Sequence, residues 1–494
     1  MKYKLWGISA CVVVICLCLV IPALIRDKSE NRYHQHLEAL SKEPCSHGDE
    51  IFCTHLPLVL IDTGGVEIPG RSIRKTEDGQ AVYTTAEDGS TEIPGYITII
   101  DDETKNNHVD DTPSVSSNMM IHVRGRSSRH FDKPNYGVTL IDENGKNNPQ
   151  SVMGMDAHHE WVLHGPFLDK TLIRNYMWYN IAGEIMDYAP NVRFCEVMVN
   201  GEYQGVYLMT EKITAGKDGA RLNLEVNRKD NTFTGYLLRV DQGSKNEMKN
   251  INNFSTYSMK LVAEQIFNIE YPGMANLTPE LKEAITQDVS AFEKALYSYD
   301  YDNKKYGYYK RIDVESFVDY FLINELTCNV DAGALSTYVY KDIDGLFRMC
   351  VWDFNNSCDM YQEGDVHTRS FFLHNTFWYY MLTKDEDFTE QIIKRYRKLQ
   401  NTVFSEEFLY AYIDDVVEYL GDAVDRNFEK WGYTFDEEFR LLNAEDREIH
   451  SYDEAIEQLK RFLHIRISWL DSNIETLRQY SVESKVKKYN ETVN

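Results

Sequence analysis

Two aspartates in the second half of this 494-residue chain have surroundings suited to chemistry on a shared substrate. Asp331 follows an apolar run, Val314 to Thr327, that predicts a helix, and Asp353 lies just past the second strand of a predicted hairpin. Loops at adjoining element ends can bring two such carboxylates together. One could deprotonate a hydroxyl while the other holds Mg²⁺ against phosphate oxygens. Alternatively, the two could be the acid and base of a glycosidase.

A second segment combines small and basic residues between two predicted strands. It runs from Arg124 through Gly125 to Arg129, and Lys133 follows shortly before the strand predicted over 136–141. Backbone N–H groups and guanidinium forks in such a turn can hold phosphate. The segment lacks a GxGxxG or Walker pattern, so a solvated basic hairpin remains the alternative.

A third segment is a hairpin around Asn200-Gly201, a dipeptide typical of tight two-residue turns. Its second strand ends at Glu211 and Lys212. A strand leaving one lobe for another can offer backbone groups to an adenine ring, but the residues alone equally indicate a purely structural hairpin.

The elements that must position these groups change in type along the chain. Residues 56–61 and 96–100 predict strands, Ile-Pro-Gly segments at 68–70 and 93–95 predict turns, and the acidic stretch 101–117 predicts a loop. The first half is therefore expected to be rich in β-structure.

The second half is expected to be mainly helical. Thr278-Pro279 begins a helix reaching about Tyr299, and a long helix is predicted over 452–480. Residues 169–186 predict one helix within the first half, while 337–341 and 347–352 predict a hairpin within the second. The fold class is therefore α+β in two lobes, with a cleft expected between them.

The N-terminal segment predicts a membrane anchor. Leu5 to Ile25 runs for 21 residues without a charge, which is long enough to span a bilayer. We expect a single-pass transmembrane helix that stays uncleaved, with the body outside the cytoplasm.

Cys45 and Cys53 could then form a local disulfide or stay free thiols, and the cysteine and histidine spacing does not indicate zinc. The expected division of the chain is an anchor over 1–30, a stalk over 31–55, a β-rich lobe over 56–240, a helix-rich lobe over 241–480 and a polar tail over 481–494.

The charge balance limits the partners. The chain has 52 basic and 78 acidic residues, for a net charge of −26. Nucleic-acid binding is discounted because it requires a basic surface. An acidic shell would attract basic partners and divalent cations, although it would also serve solubility alone.

Together these segments resemble the CotH family, the spore-coat-protein-H-like atypical kinases. The similarity extends over about residues 56–475. The stretches that carry it are RGRSSRHFDKPNYGVTL (124–140), LHGPFLDKTLIRN (163–175), VNGEYQGVYLMTEKI (199–213), DYFLINELTCNVD (319–331) and VWDFNN (351–356).

The resemblance implies an atypical protein-kinase-like fold that uses ATP with Mg²⁺ or Mn²⁺ to phosphorylate Ser or Thr of a protein partner, for which a basic or Ser-rich segment is the candidate. By motif position, Asp331 is similar to the catalytic-loop aspartate and Asp353 to the aspartate that binds metal. The remaining implied residues are Ser336 and Asn355 at the metal, Arg124 and Lys133 at the phosphates, and Glu211 and Lys212 near the adenine.

Two positions depart from the family pattern. Position 336 is Ser where kinases place a metal-binding Asn, and position 355 is Asn where the family often has a second acid. Both changes weaken the expected metal site. A kinase-like surface or spore-coat scaffold without catalysis is therefore a second hypothesis, and a glycoside-processing enzyme is a third.

Overall fold

The computed structural model describes residues 32–40, 42, 45, 51–75, 81–216, 221–225, 232–244, 246–255, 265–364, 366–376, 378–442 and 447–484. The strands within these ranges are β1 Leu58–Asp62, β2 Ser72–Lys75, β3 Ala81–Tyr83, β4 Ile93–Ile100, β5 Val115–Arg124, β6 Asn135–Ile141, β7 Gln150–Val152, β8 Met155–His158, β9 Glu160–His164, β10 Val192–Val199, β11 Glu202–Glu211, β12 Tyr236–Gln242, β13 Asn250–Ile251, β14 Gln265–Tyr271, β15 Thr337–Lys341 and β16 Arg348–Cys350. The α-helices are α1 Gln35–Glu38, α2 Arg174–Ile185, α3 Pro279–Leu296, α4 Val314–Thr327, α5 Tyr379–Leu382, α6 Glu386–Gln400, α7 Glu406–Leu420, α8 Asp422–Trp431 and α9 Tyr452–Asn473.

Seven strands of the first half close into a barrel in the order β1-β10-β11-β9-β6-β5-β4. β1 runs parallel to β10, and the other neighbours are antiparallel. Alternate residues of β5, among them Met119, Ile121 and Val123, are buried in the barrel core. The predicted hairpin is confirmed, since Asn200 and Gly201 join β10 to β11 with positive φ angles.

The predicted turn at residues 93–95 is wrong, because these residues begin β4. β4 pairs with β5 along this stretch, with Pro94 opposite Met120, whereas its pairing with β1 starts only at Tyr96. On the side that faces β1, Pro94 therefore has no paired strand whose backbone hydrogen bonds it could interrupt. Proline is tolerated at such positions.

A second sheet of five strands has the order β13-β14-β12-β15-β16. Its buried face, including Leu238 and Ile269, shares one hydrophobic core with α3, α4 and the helices that follow. The expected lobe boundary at 240/241 falls within β12, which pairs with β14 and β15 from the second half. The described residues from His34 onward form one compact unit. The mixed α+β fold is confirmed, with a β-rich first half and a helical second half, while the kinase-like division into two lobes and the domain bounds stay predictions.

The helices begin and end for local reasons. α3 starts at Thr278, whose hydroxyl accepts the N–H of Leu281 at 3.2 Å, as the Thr-Pro pair predicts. α4 has its predicted bounds, and it ends where Cys328 takes φ 45°. The helix predicted from Asp169 begins only at Arg174, because the Asp169 carboxylate accepts two nearby backbone N–H groups.

Part of the predicted stalk is built into the body. The side-chain amide of Gln35 in α1 accepts the N–H of Phe194 at 2.7 Å and donates to its carbonyl at 3.2 Å. The predicted anchor over 1–30 lies outside the described residues. In the part of the chain that the structure does describe, we find no helix with the length and apolarity that a membrane crossing requires.

Candidate active site

Asp331 and Asp353 lie on two loops that meet beside the five-stranded sheet. Asp331 is in the turn that follows α4, and Asp353 lies three residues beyond the end of β16. Asn356, on the Asp353 loop, donates its side-chain amide to Asp331 at 3.0 Å. The structure therefore brings together the two loops that the sequence singles out.

The Asp353 loop has an unusual backbone held by hydrogen bonds. Asp353 takes φ 60°, a left-handed conformation that costs a non-glycine residue about 1 kcal/mol. Its N–H donates to the Tyr179 hydroxyl at 3.0 Å, and its carbonyl accepts the Asn329 amide at 3.3 Å. Asn175 of α2 accepts the N–H of Phe354 at 2.8 Å. These contacts fix the backbone of the loop that carries the carboxylate.

The electrostatics indicate two interacting acids. Burial raises the pKa of Asp331 to about 6, the Asp353 charge adds to this effect, and the bond from Asn356 opposes it. Burial also raises the pKa of Asp353, and the positive charge of Arg124 is the main opposing influence. Such a pair accommodates a cation readily, because a cation removes the cost of holding two carboxylates together.

Arg124 lies close to the Asp353 loop. It ends β5, and its guanidinium carbon lies 5.5 Å from the centroid of the Trp352 ring. Beside it a cleft opens between the barrel and the five-stranded sheet. The cleft is lined by polar and aromatic side chains, among them Arg124, Lys212, Arg239, Glu270, Tyr338 and Trp352.

Lys133 lies elsewhere, in the interior. Its ammonium donates to the side-chain oxygen of Asn427 in α8 at 2.7 Å and lies 5.1 Å from the Tyr207 ring centroid. Burial lowers its pKa well below the usual lysine range. Lys133 is not among the residues that line the cleft.

Glu211 and Lys212 point to different surroundings. Glu211 is buried and accepts the backbone N–H of Asn191 at 2.9 Å, with the Arg221 guanidinium 3.8 Å away. Lys212 pairs with Glu160 and lines the cleft. Only the second of these two residues therefore reaches the space where a ligand could bind.

The two remaining predicted metal ligands differ in how they are held. The amide oxygen of Asn355 accepts the Asn175 amide at 2.9 Å, and its N–H lies 3.4 Å from the Asp353 carboxylate. Ser336 is half-buried with φ 47°. Among the described contacts, no hydrogen bond joins its hydroxyl to Asp331 or Asp353, so its part in a metal site stays a prediction.

Residues 121–470 match the family model described as CotH kinase protein. The chain belongs to the CotH kinase family. The match confirms the resemblance noted in the sequence, and its bounds include Arg124, Asp331 and Asp353. A search of the curated proteins finds no match for the chain. Membership of the CotH family makes this a kinase-like protein.

Three asparagines that support the CotH site were not singled out from the sequence. Asn175 holds the Asp353 loop, Asn356 binds Asp331, and Asn329 binds the Asp353 carbonyl. Each lies within a stretch that carries the family resemblance, at the end of LHGPFLDKTLIRN, in VWDFNN and in DYFLINELTCNVD. Their presence in the same stretches as the two aspartates could have indicated that they hold the two loops.

The donor set fits a hard divalent cation. Asp331 and Asp353 offer carboxylate oxygens, and the buried side-chain oxygen of Asn329 has no hydrogen-bond partner among the described residues. Mg²⁺ and Mn²⁺ prefer oxygen ligands of these kinds. The family implies use of ATP and a divalent metal in general, and the residues at this place are compatible with both.

Proposed function

We propose that this CotH-family protein is a kinase that transfers the γ-phosphate of ATP to a Ser or Thr hydroxyl of a protein partner. The observation that carries the proposal is the interacting pair Asp331 and Asp353, near a cleft that neither residue lines. The lining of this cleft includes the basic residues Arg124, Lys212 and Arg239 and the acidic residues Glu160 and Glu270. Family membership supports kinase-type chemistry in general terms.

Asp331 is the proposed acceptor of the substrate proton. The hydroxyl oxygen would form the new bond to the γ-phosphorus as the bond to ADP breaks, and its proton would pass to the Asp331 carboxylate. A pKa of about 6 supports this role, because the group is then ionised at neutral pH and yet basic enough to accept a proton.

Asp353 is the proposed principal ligand of Mg²⁺ or Mn²⁺, with Asn355 and Ser336 as further ligands. A bound cation would neutralise charge on the phosphate oxygens. Asn175 supports this arrangement from α2 by holding both Phe354 and Asn355. The loop is therefore set in place before a ligand binds, which favours accurate positioning.

Arg124 and Lys212 are the proposed nucleotide-binding cations. Both line the cleft, whose apolar members include Val138, Ile213 and Trp352, so a planar base could pack there with phosphates directed to Arg124. Lys133 could approach a phosphate only by leaving Asn427. Arg124 is therefore the better supported partner for phosphate. Glu211 stabilises the end of its own strand and does not reach a bound adenine ring.

A catalytically silent scaffold is the second candidate function. It is favoured by Ser336 and Asn355, which offer weaker metal ligands than the family pattern, and by the lack of any described bond from Ser336 to either aspartate. Arg124 lines the cleft and suits a phosphate better than an uncharged sugar, so we do not pursue a glycosidase.

The proposed substrate is a protein with basic or Ser-rich segments, which the net charge of −26 would attract. The proposed location is the cell membrane, with residues 1–30 as a single-pass anchor and the body outside the cytoplasm. Both proposals rest on composition and on the apolar run of the sequence.

Labelled phosphate transfer tests the proposed function. The full chain in detergent is incubated with γ-labelled ATP, Mn²⁺ and a basic, Ser-containing acceptor protein. We expect transfer that falls at least a hundredfold in Asp353→Asn. Asp344→Asn is the matched control, because Asp344 lies at the turn of the preceding hairpin, and it should keep full activity. Transfer that is equal in Asp353→Asn and the unchanged chain would contradict the proposal.

A further inference from the structure

Two cysteines and a histidine converge at the end of the barrel where β1 begins and β4 ends, away from the candidate active site. Cys45 and Cys53 precede β1, and His108 lies in the loop between β4 and β5. The two Sγ atoms and an imidazole nitrogen all lie within 4.8 Å of one another. Cys45 Sγ is 2.9 Å from Nε2 of His108.

The backbone holds two of the three groups in place. Thr54 and Asn107, the neighbours of Cys53 and His108, form a reciprocal backbone bridge with N–H···O distances of 3.1 and 2.7 Å. Asn107 is fully buried, and its side chain binds the Asp102 N–H and the Leu56 carbonyl. Cys53 and His108 are therefore positioned side by side by the fold itself.

The histidine ring is oriented by a carboxylate. Nδ1 of His108 lies 2.9 Å from Asp111, whose same oxygen accepts the His108 backbone N–H at 3.0 Å. The other oxygen of Asp111 binds Lys105 at 2.9 Å. With the Nδ1 proton donated to Asp111, the lone pair of Nε2 faces the two sulfur atoms. Metal-binding histidines are commonly oriented by a carboxylate in this way.

We propose that Cys45, Cys53 and His108 bind one Zn²⁺ ion, with a fourth position open to water or another ligand. Two thiolates and one neutral imidazole are a donor set that zinc prefers, with Zn–S distances of about 2.3 Å and Zn–N distances of about 2.0–2.1 Å. Binding releases the two thiol protons to solvent, and the two thiolates balance the charge of the ion.

The ion would join Cys45 to the barrel. Cys45 is exposed, whereas His108 is buried, so coordination would link an exposed side chain to a buried one. The ligands are eight and fifty-five residues apart in the sequence, and this spacing matches no short zinc motif. The sequence therefore gives no indication of zinc, whereas the folded structure brings the three side chains together.

Co²⁺ binding to the full chain in detergent tests the proposal, because a cobalt–thiolate bond gives a charge-transfer band. After metal removal under reducing conditions, we expect one Co²⁺ per chain with this band, and its displacement by Zn²⁺. Cys45→Ser, Cys53→Ser and His108→Ala should each lose the tight site. Asp111→Asn should weaken binding by about 10- to 100-fold. His130→Ala, an exposed histidine outside the cluster, should leave binding unchanged.

Two results would overturn the proposal. One is a reduced chain that shows no thiolate band with Co²⁺, or a band that persists in Cys45→Ser and Cys53→Ser. The other is a Cys45–Cys53 disulfide in the chain as isolated without added oxidant. Cleavage after Glu50, which lies between the two cysteines, separates their peptides unless a disulfide joins them.

Discussion

Arg124 is the side chain that links the Asp353 loop to the cleft beside it. It extends from the end of a barrel strand, lies over Trp352, and opposes the rise in the pKa of Asp353. The same guanidinium lines the cleft, so in the proposed function it can serve both the Asp353 carboxylate and a phosphate. This double position makes Arg124 more informative to change than Lys133.

Replacing Arg124 by Gln should weaken nucleotide binding. A hydrogen bond to a charged group contributes about 1.5–3 kcal/mol, so KM for ATP should rise by roughly 10- to 100-fold. The pKa of Asp353 should also rise, because its main favourable charge is lost. Steady-state kinetics with varied ATP measure the first effect. Arg126→Gln, at an exposed position of the same turn, should leave KM unchanged, and an equal rise in both variants would contradict the assignment.

The sequence was sufficient to single out the two loops that carry Asp331 and Asp353, which meet in the structure, but not to predict which nearby side chains turn toward them. Asp331 and Asp353 lie a few residues after an apolar helix and a strand, where periodicity makes the element ends visible. Glu211 looks similar at the end of β11, yet it turns inward to the Asn191 N–H and Arg221. The direction of a side chain at a strand end depends on neighbours far along the chain, which local patterns do not reveal.

Helix α2 contributes to the site through one asparagine. Asn175 accepts the Phe354 N–H and donates to Asn355, so a single side chain ties the helix to the loop of Asp353. The helix is buried along most of its length, which makes it a rigid support. The position of this loop is thus set by an element more than 170 residues earlier in the sequence.

Replacing Asn175 by Ala should loosen the Asp353 loop. It leaves the buried Phe354 N–H without its acceptor, which costs about 1–3 kcal/mol in the free energy of unfolding. Binding of ATP with Mn²⁺ should weaken at the same time. Urea denaturation and calorimetry measure the two effects. Asn401→Ala, at the exposed end of α6, should change neither, and unchanged metal–nucleotide binding in Asn175→Ala would contradict the supporting role.

Local sequence patterns predicted many elements of this fold but not their assembly. The bounds of α4 and the hairpin at Asn200-Gly201 depend on neighbouring residues, and both were predicted correctly. Closure of the barrel requires β1 to pair with β10, more than 130 residues later. The five-stranded sheet likewise joins β12 to β15 across about a hundred residues. Periodicity carries no signal for such distant pairing.

The stability of the folded chain should fall in mild acid. Burial lowers the pKa of His158 to about 4, with Arg221 and His159 adding to the effect and Glu160 opposing it. Below about pH 6.5 the unfolded chain takes up a proton that the folded chain excludes. His158 therefore does not reduce the free energy of unfolding above pH 6.5. As the pH falls from 6.5 to 4, this group lowers the free energy of unfolding by about 1.4 kcal/mol per pH unit.

His158→Gln should reduce this pH dependence by the same amount. Urea denaturation of the full chain at pH 7, 6 and 5 measures the slope in both proteins. The variant loses some stability at pH 7, because the Glu160 N–H donates to the imidazole at 2.9 Å, so the slope is the deciding quantity. His130→Gln, at an exposed site, should keep the original slope. A slope unchanged in His158→Gln would show that the burial of this ring does not govern acid sensitivity.

Calorimetric titration of the full chain with ATP and Mn²⁺ tests most directly whether Asp331 and Asp353 share a cation that carries a triphosphate. We expect one site per chain, no binding of ATP when metal is withheld, and affinity at least tenfold weaker in Asp353→Asn, while Asp344→Asn binds like the unchanged chain. Binding that is equally tight without metal, or equally tight in Asp353→Asn, would contradict the account.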